Sequence, residues 1–418
     1  MNIGEDRIRV QWDQMWLMRL LYWTQKNYPY FGYFHSNSIP YPEKGFSHLL
    51  LAGNESIELE NTEDHAGNWL AGIISYEQKN QYENLQSQNS SLVSCPDLFF
   101  FRAVFRVEFT DLEAIIHHPD AAALVEQINS FPIPAHSDLG ALPTIRPLTS
   151  KETYFENFHK IQEHIREGDI YEMNYCMAYE GILPNIDPIQ LYFKLNACSP
   201  MPFSGLFAVN ENYVVSTSPE RFLKKQGNKL LAQPIKGSTR RGNTELEDDE
   251  LAAKLRHSEK EQAENLMIVD LTRNDLSRVA QIGSVGVDEL FGIYRFKKIS
   301  QMISTVSCLL KDNLTFSRII EKTFPMGSMT GAPKIKSMEL IDQYEDFRRG
   351  WFSGSMGYIE DTGDFDWNVI IRSVILEATY GKFYFAVGSA ITIDADPDSE
   401  FEECLLKSQA IFEAFLNR

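Results

Sequence analysis

Short, aromatic-rich apolar runs separated by polar turns dominate the chain up to about residue 130. They occupy residues 28–34, 46–51, 69–76 and 98–109. Runs of this length and composition, bounded by turn-forming residues, are typical of β-strands. This part of the chain is therefore predicted to be rich in strands.

A proline-rich segment separates this part from the rest of the chain. Residues 131–150 hold four prolines and two clusters of turn-forming residues without a helical or alternating period, which predicts a linker. We place a boundary near residue 145. The prediction is a strand-rich region over 1–145 and a second region over 146–418.

The second region carries helix signals. Apolar residues at helical spacing over 154–165 predict an amphipathic helix that ends at Gly168. Capping-box signatures at 258–261 and 399–402 predict two more helices. The first of these runs from Glu259 to about residue 271, and the second runs almost to the C-terminus.

Composition narrows the class of protein. The chain has 418 residues, ordinary globular composition and a formal net charge of −19, which argues against nucleic acid or an anionic membrane as the main partner. Five scattered cysteines without a C-x-x-C pair indicate a reducing compartment. The N-terminus has no signal-peptide pattern and no apolar run has membrane-spanning length, so we expect a cytoplasmic protein.

Several cofactor and catalytic classes lack their signatures. Residues 327–334, GSMTGAPK, are as glycine-rich as a phosphate loop, but alanine and proline interrupt the G-K-[ST] ending. No G-x-G-x-x-G follows a strand-like run, which argues against a nicotinamide or flavin fold. No histidine occurs after His257, so the C-terminal part has no Ser-His-Asp triad of its own.

Two predicted helices each carry a pair of carboxylates on one face. Glu261 and Glu264 are three residues apart, and Glu400, Glu403 and Lys407 follow the same helical spacing. Carboxylates on rigid elements are ligands that Mg²⁺ prefers. A solvated acidic face is the commoner meaning of any one such pair in so acidic a chain. The spacing alone leaves both interpretations open.

Lys236 lies in the segment PIKGSTRRG (234–242), which is predicted to be a turn. A lysine next to the flexible Gly237 is a candidate nucleophile, provided that burial lowers its pKa and keeps the amine neutral. A surface lysine in a basic turn is the commoner alternative.

Six motifs follow one another along the second region. They are SPERF (218–222), PIKGSTRRG (234–242), EQAENLMIVDLTRNDLSRVA (261–280), FPMGSMTGAPKIKSMELID (324–342), RRGWFSGSMGYI (348–359) and EFEECLLKSQAI (400–411). Together they resemble the chorismate-utilising enzymes, which include anthranilate synthase component I, aminodeoxychorismate synthase component I, and the isochorismate and salicylate synthases. The second region would then be the chorismate-binding catalytic region.

The lysine motif points to one branch of this family. Anthranilate synthases usually carry alanine at the place of Lys236, whereas aminodeoxychorismate synthases, the large subunits of para-aminobenzoate synthase in folate synthesis, usually carry lysine. The resemblance implies that Lys236 attacks C2 of the chorismate ring while Glu220 protonates the departing C4 hydroxyl. Ammonia then displaces the lysine, giving 4-amino-4-deoxychorismate.

The resemblance also implies a cofactor and substrate contacts. Glu264 and Glu403 would be direct ligands of Mg²⁺, and Glu261 and Glu400 would support them or act through water. Arg372 would hold a substrate carboxylate, with Lys407 as a second cation in a locally basic pocket. Further backbone and hydroxyl donors would come from Ser238, Thr239 and a turn of Gly388, Ser389 and Ala390.

Four positions depart from the family pattern. Gln301 replaces a histidine that anthranilate synthases need for pyruvate elimination, which fits an enzyme that stops at the aminated ring. Glu172 replaces a glutamine, and we expect its carboxylate to orient ammonia. Phe352 replaces a tyrosine and Ala390 a glycine, both at expected substrate contacts.

The fold implied by the resemblance is α+β, with two large antiparallel β-sheets packed face to face, helices on the outside and chorismate between the sheets. The chain has no G-x-C-x-G nucleophile turn, so ammonia would come from a separate glutamine amidotransferase subunit. Anthranilate synthase component I is the nearest alternative, and isochorismate synthase is disfavoured by Glu172. An alternative of a different class is a non-catalytic, chorismate-binding regulatory subunit.

Overall fold

Strands outnumber helices in the computed structural model, which describes residues 7–134 and 143–416. The strands are β1 (Arg7–Gln11), β2 (Tyr30–His35), β3 (Leu49–Gly53), β4 (Glu55–Ile57), β5 (Leu70–Ile74), β6 (Leu98–Arg102), β7 (Phe105–Phe109), β8 (Glu113–His117), β9 (Thr144–Pro147), β10 (Glu172–Ile182), β11 (Phe203–Val209), β12 (Asn212–Ser218), β13 (Arg221–Gln226), β14 (Lys229–Gln233), β15 (Ile235–Arg240), β16 (Gly286–Arg295), β17 (Ile299–Leu309), β18 (Gly331–Ala332), β19 (Ser355–Ile359), β20 (Phe365–Asn368), β21 (Ser373–Glu377) and β22 (Lys382–Ile391). The helices are α1 (Gln14–Asn27), α2 (Lys79–Tyr82), α3 (Ala121–Ser130), α4 (Lys151–Glu167), α5 (Pro188–Cys198), α6 (Glu245–Arg256), α7 (Glu259–Ser277), α8 (Phe316–Thr323), α9 (Lys334–Tyr344) and α10 (Pro397–Leu416).

The strands pair into two antiparallel sheets. Within the described ranges the first sheet has 12 strands, in the order β1-β8-β7-β3-β2-β11-β12-β21-β22-β10-β18, with β9 on β10. The second has 10 strands over the same ranges, in the order β15-β17-β14-β13-β20-β19-β5-β6-β4, with β16 on β17. Both sheets contain strands from either side of residue 145, and the middle of the predicted linker, 135–142, lies outside the described residues.

The first sheet is buried on both faces. In β3, Leu49 and Leu51 belong to the core between the sheets, whereas Leu50 and Ala52 belong to the core beneath the helices. Successive side chains of a strand point to opposite faces, so a strand covered on both faces needs a continuous apolar run. Helices α1, α3, α4, α5 and α10 cover the outer face of this sheet. The predicted α+β fold of two packed antiparallel sheets with outer helices is therefore confirmed.

The structure confirms the predicted C-terminal end of helix α4 and the predicted N-terminal end of helix α7. Helix α4 ends at Gly168, which has φ +86° and closes the helix in the left-handed conformation. The Ser258 side chain accepts the backbone N–H of Glu261 at the start of α7, although α7 continues to Ser277. Among the residues described, no helix combines the length and apolarity needed to cross a membrane.

The last helix begins earlier than predicted. Helix α10 starts at Pro397, and the Asp396 carboxylate accepts the backbone N–H of Ser399 at 2.9 Å. Asp396 is therefore the N-terminal cap, because its carboxylate, rather than the Ser399 hydroxyl, accepts a free N–H group of the first turn.

Two predicted turns are strands. Residues 235–240 form β15, and residues 388–390 lie inside β22, paired with residues 174–176 of β10. At Gly388 glycine serves close packing rather than a turn, because a Cβ atom there would lie 2.4 Å from Cys176 Sγ.

Candidate active site

A cavity of about 150 Å³ lies where β10 and β22 of the first sheet approach β15 and β17 of the second. Helices α7 and α10 complete its wall. All but one of the predicted site residues line it, namely Lys236, Glu220, Ser238, Arg372, Gly388, Ser389, Lys407, Glu261, Glu264, Glu400 and Glu403.

A β-bulge presents Lys236 to this cavity. The pairing of β15 with β17 shifts by one residue between Ile235 and Ser238, so Lys236 and Gly237 form the irregular part. Gly237 has φ +88°, a conformation that side chains rarely adopt. A Cβ atom at this glycine would also lie 2.7 Å from Glu261 Oε2. Glycine is thus favoured here mainly by the left-handed backbone of the bulge, because the Glu261 carboxylate is the mobile end of its side chain.

Lys236 forms a buried ion pair that connects two distant parts of the chain. Its Nζ donates to Oε1 of Glu172 in β10 at 2.5 Å, and the exposed fractions of the two side chains are 11% and 1%. Glu172 Oε2 is buried and has no hydrogen-bond partner among the described residues. Lys236 lines the cavity, whereas Glu172 does not.

The pKa of Lys236 is raised rather than lowered. Burial alone lowers it, but the negative charges of Glu172, Glu264 and Glu403 and the hydrogen bond to Glu172 outweigh burial. The condition that burial lowers the pKa of this lysine and keeps its amine neutral is therefore not met in the resting site. Lys236 is an ammonium that must lose a proton before it can act as a nucleophile.

Glu220 is a buried carboxyl suited to proton donation. It lies in the turn between β12 and β13 and accepts a hydrogen bond from Ser328 Oγ at 2.6 Å. Burial raises its pKa to about 7, although Ser328, Lys236 and Lys407 act in the opposite direction. A pKa near neutrality lets a carboxylic acid hold a proton and still release it.

The Arg372 side chain lacks a hydrogen-bond or ion-pair partner among the described residues. Its backbone has φ +53°, a strained conformation for a non-glycine residue. Its guanidinium lines the cavity and makes no hydrogen bond or ion pair with any residue that the structure describes. A free guanidinium in a cavity is suited to a carboxylate, which it can bind through two parallel N–H donors.

Four glutamates from two helices meet at one side of the cavity. Glu261 and Glu264 project from α7, and Glu400 and Glu403 project from α10. Burial raises the pKa of Glu261, Glu264 and Glu400, that of Glu264 to about 7, and nearby carboxylates add to the effect. The pKa of Glu403 is lowered, above all by Lys407.

Two lysines lie among these carboxylates. Lys260 Nζ is 3.8 Å from Glu264 Oε1 and 3.6 Å from Glu400 Oε1, so one ammonium bridges both helices. Lys407 Nζ contacts Glu403 Oε1 at 2.7 Å and donates to the Gly388 carbonyl at 2.8 Å. The cavity therefore combines four cationic side chains with five carboxyl groups, so it is mixed in charge rather than the basic pocket expected.

The donor chemistry of the four glutamates fits Mg²⁺. Hard carboxylate oxygens are what this ion prefers, and it typically takes only one or two protein carboxylates beside water and an anionic substrate. The bridging Lys260 ammonium marks the place where a cation is favoured. Across the described ranges, the closest cluster of metal-ligand types is another one, His164, Glu167 and Asp169, whose ligand atoms lie within 4.8 Å of one another. That cluster is on the surface, and both ring nitrogens of His164 already contact Asp169 and Tyr344.

The structure does not bring every predicted residue to the cavity. Thr239 faces away from it, because alternate residues of β15 point to opposite sides and Ser238 takes the cavity side. The Ser389 hydroxyl lies 3.1 Å from the Tyr154 hydroxyl. Three departures from the family pattern, Gln301, Phe352 and Ala390, do line the cavity.

Sequence reasoning missed three contributors. Ser328 belongs to the glycine-rich segment that lacks a phosphate-loop ending, and its hydroxyl contacts Glu220. Asn174 lines the cavity and donates to the Ser328 carbonyl at 2.8 Å. Lys260 bridges the glutamates, and its position next to Glu261 in the capping box was the available signal.

Comparison with known proteins identifies a family for this chain. Residues 41–413 match the family described as chorismate binding enzyme. The chain is 32% identical over 353 residues to aminodeoxychorismate synthase component 1 of Salmonella typhimurium, covering 83% of this chain and 76% of that protein. It is 41% identical over 270 residues to the chloroplastic aminodeoxychorismate synthase of Arabidopsis thaliana, covering 63% of this chain but only 29% of the plant protein.

A solved structure shares the fold over nearly the whole chain. The crystal structure of anthranilate synthase component I from Streptococcus pneumoniae superposes with a TM-score of 0.74 at 21% identity, covering 99% of this chain and 93% of that one. The match to the family spans most of the described residues and includes every element that lines the cavity. The chain therefore belongs to the chorismate binding enzyme family.

Proposed function

We propose that this chain acts as an aminodeoxychorismate synthase component I, which converts chorismate and ammonia to 4-amino-4-deoxychorismate. The observation that carries the proposal is Lys236, a lysine presented by a bulge into the cavity and held on a buried carboxylate. The sequence similarity to proteins named aminodeoxychorismate synthase supports the same reaction.

Lys236 is the nucleophile in this reaction, and Glu220 is the general acid. The neutral amine of Lys236 attacks C2 of the ring, and the Glu220 carboxyl gives its proton to the C4 hydroxyl, which leaves as water. Ammonia then adds at C4, and the bond between C2 and Lys236 breaks. A poor leaving group needs this proton, and the covalent step divides one difficult substitution into two easier ones.

Arg372 and the glutamates orient the substrate. The unpartnered Arg372 binds one carboxylate of chorismate, which its guanidinium can grip with two hydrogen bonds. Glu264 and Glu403 would hold Mg²⁺, with Glu261 and Glu400 in support. When bound, the metal neutralises the ring carboxylate and fixes its position. With the metal, Lys260 and Lys407 beside them, the four glutamates would carry no net negative charge, so they would not repel an anionic substrate.

Ammonia comes from a separate glutamine amidotransferase subunit in this proposal, and the product leads to para-aminobenzoate and folate. Free ammonium at high concentration should replace that subunit in the test tube. The compartment that we expect for these steps is the cytoplasm.

The test is product identification by mass spectrometry and chromatography, with purified chain, chorismate, Mg²⁺ and ammonium. The expected product retains the enolpyruvyl group and yields para-aminobenzoate only after a lyase is added. Lys236→Ala should abolish it, whereas Lys254→Ala, on the exposed side of α6, should not.

Anthranilate as the product would assign the chain to the neighbouring branch of the family. Gln301 favours the aminodeoxychorismate branch, because this neutral side chain lines the cavity and cannot remove a proton to eliminate pyruvate. Absence of turnover with metal and ammonium would indicate a non-catalytic subunit that binds chorismate.

A further inference from the structure

Glu172 is a carboxylate in contact with the nucleophile but not with the cavity. Its side chain is 1% exposed and accepts one hydrogen bond, from Lys236 Nζ. The second oxygen has no partner within the described part of the chain. Structural buried carboxylates normally have all their oxygens paired, so an unpaired one beside a reacting amine calls for a functional explanation.

Lys236 needs a proton acceptor in order to react. Its ammonium form cannot attack a ring carbon, because the nitrogen has no free electron pair. Other charged groups line the same cavity, and among the described residues none of them is in ion-pair contact with Lys236; these are Glu220, Glu261, Glu264, Glu403 and Lys407. Glu220 must keep its proton for the leaving hydroxyl, and the glutamates of α7 and α10 face the proposed metal.

We propose that Glu172 is the proton acceptor that converts the Lys236 ammonium into the attacking amine. This inference rests on the proposed amination and adds a residue to it. One proton moves from Nζ to the Glu172 carboxylate, which gives a neutral amine and a neutral carboxylic acid. When ammonia has displaced the lysine, the same proton returns from Glu172 to the released amine.

The proton balance closes over one turnover. Glu220 gives a proton to the C4 hydroxyl, and water leaves. Ammonia forms the new C4–N bond as an ammonium group, which returns a proton to the Glu220 carboxylate. The transfer between Lys236 and Glu172 is internal and cancels, so the net reaction is chorismate plus ammonia giving aminated product plus water.

The environment of Glu172 suits a reversible acceptor. Among the described residues, the Glu172 carboxylate accepts a single hydrogen bond, the one from Lys236 Nζ to Oε1. The free Oε2 can take the proton while Oε1 stays in contact with Lys236. Glu172 does not line the cavity, so its carboxylate is in a poor position to orient ammonia directly, which is the role that the sequence suggested for it.

A distinct pH dependence follows from internal transfer. In the wild type the resting and reactive forms of the pair contain the same number of protons, so deprotonation of Lys236 adds no pH dependence to the rate. In Glu172→Gln the proton must go to solvent, and the fraction of neutral amine rises about tenfold per pH unit below the pKa of Lys236. The ratio of variant to wild-type rate isolates this effect, because ionisation of Glu220 and of ammonium affects both proteins equally.

The experiment measures kcat for the ammonia-dependent reaction at saturating chorismate from about pH 6 to about pH 8, where the variant's lysine is still largely protonated. We expect the ratio of Glu172→Gln to wild type to rise about tenfold per pH unit. Glu172→Asp retains a carboxylate, so its ratio should stay constant with pH even if its rate is lower. Glu180→Gln is the matched control on the same strand, where Glu180 forms an ion pair with the exposed Arg146, and it should match the wild type.

A second measurement does not depend on turnover. The pH dependence of Lys236 acylation by an amine-reactive reagent, followed by peptide mass spectrometry, should shift to lower pH in Glu172→Gln because the lysine loses its ionic partner. A constant rate ratio across the pH range, or an unchanged acylation profile, would overturn the proposal. If the wild type forms no aminated product, the proposed function fails instead, and that result is visible before any variant is made.

Discussion

Two buried ion pairs in this molecule are built in opposite ways. Arg221 and Asp366, in β13 and β20, form a bidentate pair with both N···O distances at 2.8 Å. The remaining guanidinium donors reach the Gln233 side chain and the carbonyls of Pro42 and Lys44. In this pair every donor and both acceptor oxygens are used. In the pair of Lys236 and Glu172, one carboxylate oxygen is left over.

The difference distinguishes an ion pair that stabilises the fold from one that is proposed to take part in the reaction. A saturated pair has one low-energy arrangement, and removing either partner leaves a buried charge uncompensated. Among the described residues, the site instead holds groups whose hydrogen-bonding capacity is unused: Gln301 Oε1 and the Arg372 guanidinium line the cavity, and Glu172 Oε2 belongs to the ionic partner of Lys236. Such groups cost stability unless a ligand or a reaction step uses them, which is why perturbed, unpaired polar groups indicate active sites.

Breaking the saturated pair should have the largest effect. Asp366→Asn leaves the buried Arg221 guanidinium without a counter-charge, so the free energy of unfolding should fall by about 3–5 kcal/mol. Chemical denaturation followed by circular dichroism measures this loss. Asp361→Asn, at an exposed position five residues away in the same hairpin, should change stability by less than about 0.5 kcal/mol. Equal effects of the two substitutions would remove the distinction between the pairs.

Substitution of Glu220 should lower the activity without lowering the stability of the fold, which is the reverse of the effect expected for Asp366→Asn. Glu220→Gln removes the acid that protonates the leaving hydroxyl, so kcat should fall by about 10²- to 10⁴-fold. In the wild type the pKa of Glu220 is about 7, so kcat should decline as the pH rises above neutrality and the acid form is lost. A rate profile that stays flat through neutral pH, after correction for free ammonia, would contradict the assignment.

The same substitution should stabilise the fold at neutral and alkaline pH. The folded-state pKa is raised from 4.5 to about 7, so ionisation of Glu220 weakens the folded state as the pH rises through this window. Glutamine does not ionise, so Glu220→Gln should exceed the wild type by about 3 kcal/mol above pH 7 and by little below pH 4. Unfolding titrations at the two pH values make the comparison, and Ser328→Ala reports the separate effect of losing the hydrogen bond.

Much of this site was predictable because motif and spacing are local properties. Helical spacing places Glu261 with Glu264 and Glu400 with Glu403. Two of the six motifs contain Lys236 and Glu220, and the family resemblance adds Arg372 to the same site. The fold class followed from the same resemblance and from the strand-like runs of the first region. These expectations need no knowledge of which elements approach each other in space.

The remainder depends on contacts between distant segments. Glu172 and Lys236 are 64 residues apart, and their contact exists only because β10 and β15 meet at one cavity. Period and composition do not reveal a bulge, so they predict a turn where β15 forms. The cavity contact of Thr239 was implied by the family resemblance, which does not show to which side of β15 each residue points. The raised pKa of Lys236 follows from three carboxylates on three different elements, which no local pattern contains.

Substitution of Arg372 tests whether the unpaired hydrogen-bond donors in the cavity bind the substrate. Arg372→Met removes the guanidinium but keeps much of the side-chain volume, so KM for chorismate should rise by about 10- to 100-fold with a smaller change in kcat. Stability should change little, because the guanidinium has no partner to lose among the described residues. Arg146→Met, at an exposed position, is the control and should leave KM unchanged. A fall in stability without a change in KM would make Arg372 structural.

The smallest expected effect concerns Lys260, which contrasts with both ion pairs because its ammonium is shared rather than paired. Its side chain is 51% exposed and lies within 4 Å of Glu264 and Glu400, so it offsets their repulsion where the proposed metal would bind. Lys260→Met removes this competing cation, so Mg²⁺ should bind several-fold more tightly, corresponding to about 1 kcal/mol. Calorimetric titration of the chain with Mg²⁺ in the absence of chorismate measures the affinity. Arg273→Met removes one charge from the exposed face of the same helix and should leave the affinity unchanged. Weaker binding in Lys260→Met would instead mean that the lysine organises the glutamates for the metal, and the shared ammonium would then belong with the saturated, structural pairs.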